Sequence, residues 1–125
     1  MALIWLTLNL SKMEITIDAT KQKLGRLATQ IAHILQNKGS VAYEPRLEGG
    51  NKVIVKNITA IEIGGNKAEK KIYYRHTGYM GHLKEKTYKE AIAKDPAWAL
   101  RHAVRGMLPK NRLQAKRLKQ LIIEK

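Results

Sequence analysis

The stretch Lys52-Val53-Ile54-Val55-Lys56-Asn57-Ile58 constrains this chain more than any other. Three β-branched apolar residues stand in succession with no polar residue among them, which reads as a strand covered on both faces. A buried strand of this kind favours a layered α/β fold with helices packed on the sheet. A helix-turn-helix module has no need of it.

The surroundings agree. Ile15-Thr16-Ile17, ended by Asp18, reads as a first strand. Leu24, Leu27, Ala28, Ile31, Ile34 and Leu35 then follow the three-and-four spacing of an amphipathic helix, with Gly39 in Asn37-Lys38-Gly39 as its stop. Ala60-Ile61-Glu62-Ile63 suggests another strand close behind the buried one. The tetrapeptide Gly-Gly-Asn-Lys occurs at residues 49–52 and again at 64–67, read as one turn chemistry used twice. Lys70 to Tyr74 is a third extended piece, residues 87–93 form a short helix, and Asp95-Pro96 starts another by an N-cap carboxylate and a proline. Leu100, Ala103, Val104 and Met107 form the buried stripe of that last helix, and Gly106 with Pro109 stops it.

Three segments are expected. Residues 1–12, MALIWLTLNLSK, are apolar but too short to span a bilayer, and read as an N-terminal extension upstream of a start at Met13. The other reading of that segment is an edge strand alternating through Leu6, Leu8 and Leu10. Residues 13–109 form the α/β domain. Residues 110–125 form a basic C-terminal arm, anchored by Leu113 and Leu118 and mobile until it meets its partner.

Charge points to that partner. Twenty-four Lys plus Arg against ten Asp plus Glu leave a net +14. The excess is lopsided, with eight basic and five acidic residues in 1–62 but sixteen and five in 63–125. Self-repulsion of that size favours a permanent polyanionic partner. The segment from Tyr73 to Lys84 adds three tyrosines, two histidines, Arg75 and two glycines without one acid, which suits irregular RNA.

Catalytic patterns are missing. There is no cysteine, hence no disulfide, zinc-thiolate site or thiol nucleophile. His33, His76, His82 and His102 form no HxH or HExxH pattern, and Gly64-Gly65-Asn66-Lys67 lacks the flanks of a phosphate loop. Ser11 and Ser40 are the only serines, and neither sits in a GxSxG elbow. No metal, no cofactor and no enzyme activity are expected. The residues that would face RNA are Lys23, Arg26 and Lys38 about the first helix, then Lys67, Lys70, Lys71, Tyr74, Arg75, His76, Thr77, Gly78 and Lys84. Arg101, Arg105, Lys110, Asn111, Arg112, Lys116 and Arg117 complete the set toward the C-terminus.

Several segments also resemble, in order and spacing, the bacterial large-subunit ribosomal protein L-thirteen family. They are Asp18-Ala19-Thr20, Leu24-Gly25-Arg26-Leu27-Ala28, Val53-Ile54-Val55-Lys56-Asn57, Gly65-Asn66-Lys67, the run from Tyr73 to Tyr79, and the run from Ala103 to Asn111. The resemblance covers roughly Ile15 to Leu118. It implies a three-layer α/β/α domain with a small, mainly parallel sheet that binds large-subunit ribosomal RNA, supports assembly and performs no catalysis. It further implies ribosomal-protein neighbours and a place in the cytoplasmic, bacterial-type ribosome, with no membrane. The family's RNA-facing segments fall here on Lys23 and Arg26, on Lys67 to His76 with the glycines after it, and on Arg105 to Arg112. This chain departs where the family usually has glycine at or beside Lys21, an acid at Asn51, and a tail with a Gly-Arg pair and a His-Pro-His ending. A second reading, from another class, is a free regulatory protein that binds messenger RNA or DNA with the same surface.

Overall fold

The computed structural model describes residues 13–124. Both readings of residues 1–12 lie outside the described residues. Five strands and five helices follow in the order β1 (Glu14–Asp18), α1 (Leu24–Leu35), β2 (Lys52–Lys56), α2 (Lys67–Lys70), β3 (Ile72–His76), β4 (Leu83–Thr87), α3 (Tyr88–Lys94), α4 (Pro96–Met107), α5 (Arg112–Lys119) and β5 (Leu121–Ile123). Strands β1, β2 and β5 form a parallel sheet with β2 in the centre, and β3 and β4 form a separate antiparallel hairpin. The α/β class and the mainly parallel sheet are those the sequence implied.

Both crossovers of the parallel sheet step in the same direction, from β1 to β2 to β5. Right-handed crossovers that step the same way put their helices on the same face. That face carries Ile17, Val53, Val55, Leu121 and Ile123, which pack with Leu27, Ile31 and Leu35 of α1 and Leu100 and Val104 of α4. Val53 and Val55 are fully buried, whereas Ile54, on the reverse face with Thr16 and Ile122, is only half-buried, so among the described residues β2 is covered on one face and not on both as its apolar run suggested. Burying an aliphatic side chain of this size contributes about 1.5–3 kcal/mol. The inward pair of β2 therefore holds the sheet to its helices.

Local chemistry explains the boundaries. Thr87 and Glu90 exchange side-chain and backbone bonds, both 3.3 Å, in a capping box that starts α3. Asp95 Oδ1 accepts from Ala97 N–H at 3.1 Å and starts α4, with Pro96 in the first turn. Helix α1 ends at Leu35, earlier than Gly39 suggests, because Asn37 takes the left-handed conformation (φ 58°). Asn51 secures that end, its amide donating to Ile34 O and Asn37 Oδ1 at 3.2 Å each. An acid at position 51 could make neither bond.

Four expectations are corrected. Ala60-Ile61-Glu62-Ile63 is no strand: Asn57 (φ 57°) turns the chain into a short 3-10 turn, Ile58–Ala60, and only an isolated bridge joins Glu62 to Lys23. The two Gly-Gly-Asn-Lys turns differ, since Gly49 and Gly50 both have positive φ but only Gly65 does in the second. Met107 is 43% exposed and stands outside the buried stripe, which uses Ala97, Leu100 and Val104 instead. Residues 112–123 are no projecting arm. They form α5 and the strand β5, because Leu121 and Ile123 alternate onto the core face beside Val53 and Val55.

Lys21 also has a left-handed backbone (φ 56°), at or beside the position where the resembled family usually has glycine. A side chain there is strained, while glycine would loosen the unfolded chain. Replacing Lys21 with glycine should raise stability by a net of about 0.5–1 kcal/mol, read as a higher denaturant midpoint. An unchanged or lower midpoint would show that the turn carries no strain.

Candidate nucleic-acid interface

Helix α1 begins without a side-chain cap at Lys23 and without an acid in its first turn, so its unpaired N–H groups and positive dipole end stay open to an anion. The chain reaches this point through Leu24 N–H to Glu62 O, 3.0 Å, which brings the turn after residue 62 alongside. Helix α4 packs against α1 from the other side. A groove of about 760 Å³ results, lined by Lys23, Arg26, Lys67, Lys71, Gly64, Gly65 and the last turn of α4. No carboxylate lines it. Among the described residues, none of these four cations is ion-paired.

A second cavity of about 380 Å³ meets the first at Gly106 and is lined by His102, Arg105, Lys110, Asn111 and Gln114. Gln114 shapes it, donating to Arg105 O at 2.8 Å and Leu108 O at 3.3 Å and so tying α5 to the end of α4. Lys70 stands with Lys67 and Lys71 on the flank of the groove. The structure thus gathers eight of the expected residues, from three distant parts of the sequence, along one continuous cleft: Lys23, Arg26, Lys67, Lys70, Lys71, Arg105, Lys110 and Asn111.

The hairpin stands beside this cleft on an aromatic clamp. Tyr73 meets Trp98 edge-on at 4.8 Å, and Trp98 stacks on His102 at 4.9 Å. Lys71 lies over the Tyr73 ring at 5.1 Å and Lys86 over Trp98 at 4.7 Å. Burial raises the pKa of the Tyr73 hydroxyl. Burial, then Lys71 and Arg105, hold His102 below the ordinary histidine range and so favour the neutral ring that stacks. Trp98, Lys86 and Gln114 escaped the sequence reading, and His102 was weighed only for metal or catalytic chemistry. The four-residue spacing of Trp98 and His102 on one helix face was the available signal.

The remaining expected residues scatter. Arg75, His76, Thr77 and Gly78 lie at the hairpin end with Lys84, and Tyr74 on its outer face. Lys38 lies past the far end of α1, about 18 Å from the groove for a helix of 12 residues. Arg101 pairs with Asp95 at 3.8 Å. Arg112 and Lys116 share an exposed stripe of α5 with Lys119. Arg117, expected to project, is buried (1% exposed) and donates to Leu47 O at 2.8 Å and Glu48 O at 3.3 Å. Its planar fork suits two successive carbonyls, and it holds the loop between α1 and β2 against the fold. It is unavailable to RNA.

An uncompensated cationic cleft, flanked by a clamped basic hairpin, defines the class as a small α/β protein shaped for a polyanion. The family model described as Ribosomal protein L13 matches residues 12–123. Large ribosomal subunit protein uL13 of Lawsonia intracellularis is 51% identical over 105 residues, which is 84% of this chain and 73% of the relative. The protein of that name from Roseiflexus castenholzii is 50% identical over 107 residues, 86% of this chain and 73% of the relative. That from Rubrobacter xylanophilus is 46% identical over 107 residues, 86% and 75%. The chain belongs to the ribosomal protein L13 family.

Two glycines give the cleft a further character. Gly25 in α1 and Gly106 in α4 both line the groove, neither has positive φ, and a Cβ at either would meet nothing within 4 Å. Neither backbone conformation nor internal packing requires glycine there, although each costs a helix up to about 1 kcal/mol relative to alanine. Bare backbone on both walls lets a ligand approach closely. Gly106→Gln should therefore raise stability by about 0.5 kcal/mol through helix propensity. It should weaken RNA binding by about tenfold, equivalent to ~1.4 kcal/mol, in a filter-binding titration. Unchanged binding by the stabilised variant would show that no ligand enters the groove at this point.

Proposed function

We propose that this chain is a structural constituent of the large ribosomal subunit, holding large-subunit ribosomal RNA in the cleft between α1 and α4 and supporting assembly of the subunit. The observation that carries the reading is the convergence of Lys23, Arg26, Lys67 and Lys71 on a groove without a carboxylate, in a member of a ribosomal protein family. Cations held together in this way repel one another, and a phosphodiester backbone relieves the repulsion while releasing its condensed counterions. The groove's volume would suit a small ligand. Its lining offers a small substrate no acid–base pair, and the role is architectural rather than catalytic. The hairpin and the stripe of Arg112 and Lys116 extend the contact outward, and neighbouring ribosomal proteins share the surroundings. No helix of the described residues is long and apolar enough to cross a membrane, in keeping with a place in the cytoplasmic ribosome. No feature of the cleft favours the reading as a free regulator of messenger RNA or DNA.

Salt dependence tests the electrostatic core of this reading. Each phosphate neutralised contributes about 0.7–0.9 to the slope of log affinity against log salt. The triple variant Lys23→Gln, Arg26→Gln, Lys67→Gln should bind large-subunit ribosomal RNA with a slope shallower by about 2–3 and keep the wild-type melting midpoint, since the three side chains are exposed. An unaltered slope would place the phosphate contacts elsewhere.

A further inference from the structure

The two faces of the β3–β4 hairpin are chemically different. Alternate side chains share a face, so Tyr73 and Arg75 lie on one side with Lys84 and Lys86. Tyr74 and His76 lie on the other, opposite Glu85 and Leu83. The first face docks on α4 through Tyr73 and Trp98, and carries Arg75 and Lys84, both exposed, beyond the dock. The second face packs on nothing among the described residues. Its Tyr74 is 60% exposed and Leu83 53%, and Tyr79 in the connecting loop is 75% exposed.

Three observations indicate what covers it. Cations are confined to the docked side, while the outer face has Glu85 and neither Lys nor Arg. Residues 70–89 as a whole hold six basic side chains and one acidic. A polyanion can therefore run its phosphates along Arg75 and Lys84 and turn its bases to the outer face. Tyr74 and His76, two residues apart on one strand, are separated by about 6.6 Å, close to two steps of a base stack at ~3.4 Å. The His76 ring is held in place, its Nδ1 accepting from Gly78 N–H at 3.0 Å, so its remaining nitrogen carries the proton and points away as a donor. An exposed tyrosine ring and a held imidazole two strand positions apart, beside a carboxylate that can accept from a base amino group, suit nucleobases better than phosphates.

We infer that the outer face of the hairpin is a stacking surface for unpaired RNA nucleotides, with Tyr74 as the platform for a base. This rests on the RNA-binding reading and adds the feature of the RNA that is recognised: a base freed from its helix. The cleft takes backbone and the hairpin takes bases.

The test uses the full chain with Tyr74→Leu and Tyr74→Phe, titrated at low salt with a short single-stranded oligoadenylate carrying 2-aminopurine and with a perfectly paired RNA duplex of equal length. Wild type should bind both probes and quench the 2-aminopurine. Tyr74→Leu should lose roughly tenfold on the single strand together with the quenching, and change by less than about twofold on the duplex. Tyr74→Phe should keep the wild-type values, because the ring and not the hydroxyl makes the stack. Equal losses on both probes, loss in the phenylalanine variant, or wild-type affinity in the leucine variant would each overturn the stacking surface. In the last case, intact duplex binding would leave the cleft reading standing and assign the outer face to a protein neighbour. A wild-type chain that binds neither probe would overturn both.

Discussion

Everything else in this structure depends on the burial of Val53 and Val55 in the central strand of a parallel sheet. With β1 on one side and β5 on the other, the two crossovers share a face, and α1 and α4 are pressed side by side. The first turn of α1 then lies beside the last turn of α4. Nothing in that arrangement is chosen for charge. Yet it decides where Lys23, Arg26, Arg105 and Lys110 meet, so the apolar register of three short strands places a cationic cleft.

The electrostatics run against stability. Ion pairs among the described residues, such as Lys52 with Glu14 at 3.0 Å and Lys56 with Glu124 at 4.0 Å, flank the sheet, and exposed pairs of this kind contribute at most about 1 kcal/mol. The cleft has none. Burial, with Lys71 and Arg105 beside it, favours the neutral form of His102 that stacks on Trp98. Bound phosphate would offset the repulsion among these cations.

Much of the fold was legible from residue pattern. The first helix, the middle strand, the capped helix after Asp95 and the extended chain leading into the basic loop each follow from local periodicity or caps. The tail was not legible as structure, because Leu121 and Ile123 make only three residues of strand and acquire their meaning from register with Val53 and Val55. Arg117 misled for a related reason. In a run of lysines and arginines, only three-dimensional packing reveals which guanidinium turns inward to the carbonyls of Leu47 and Glu48. The individual cations of the cleft were legible as candidates, but not their convergence, which spans residues 23 to 110. The spacing of Trp98 and His102 marks a shared helix face, but which element would seat on it could not be read, since a tryptophan on an amphipathic helix is ordinarily read as core.

The central claim is that the α1–α4 cleft is the RNA-bearing face. Lysine acetylation rates, compared residue by residue between the free protein and the assembled large subunit, address it most directly. Lys23, Lys67, Lys71 and Lys110 should react freely in isolation and become strongly protected in the subunit, while Lys52, Lys56 and Lys94, which lie outside the cleft, should change far less. Protection of the second set with continued reactivity of the first would place the RNA on another face and contradict the account.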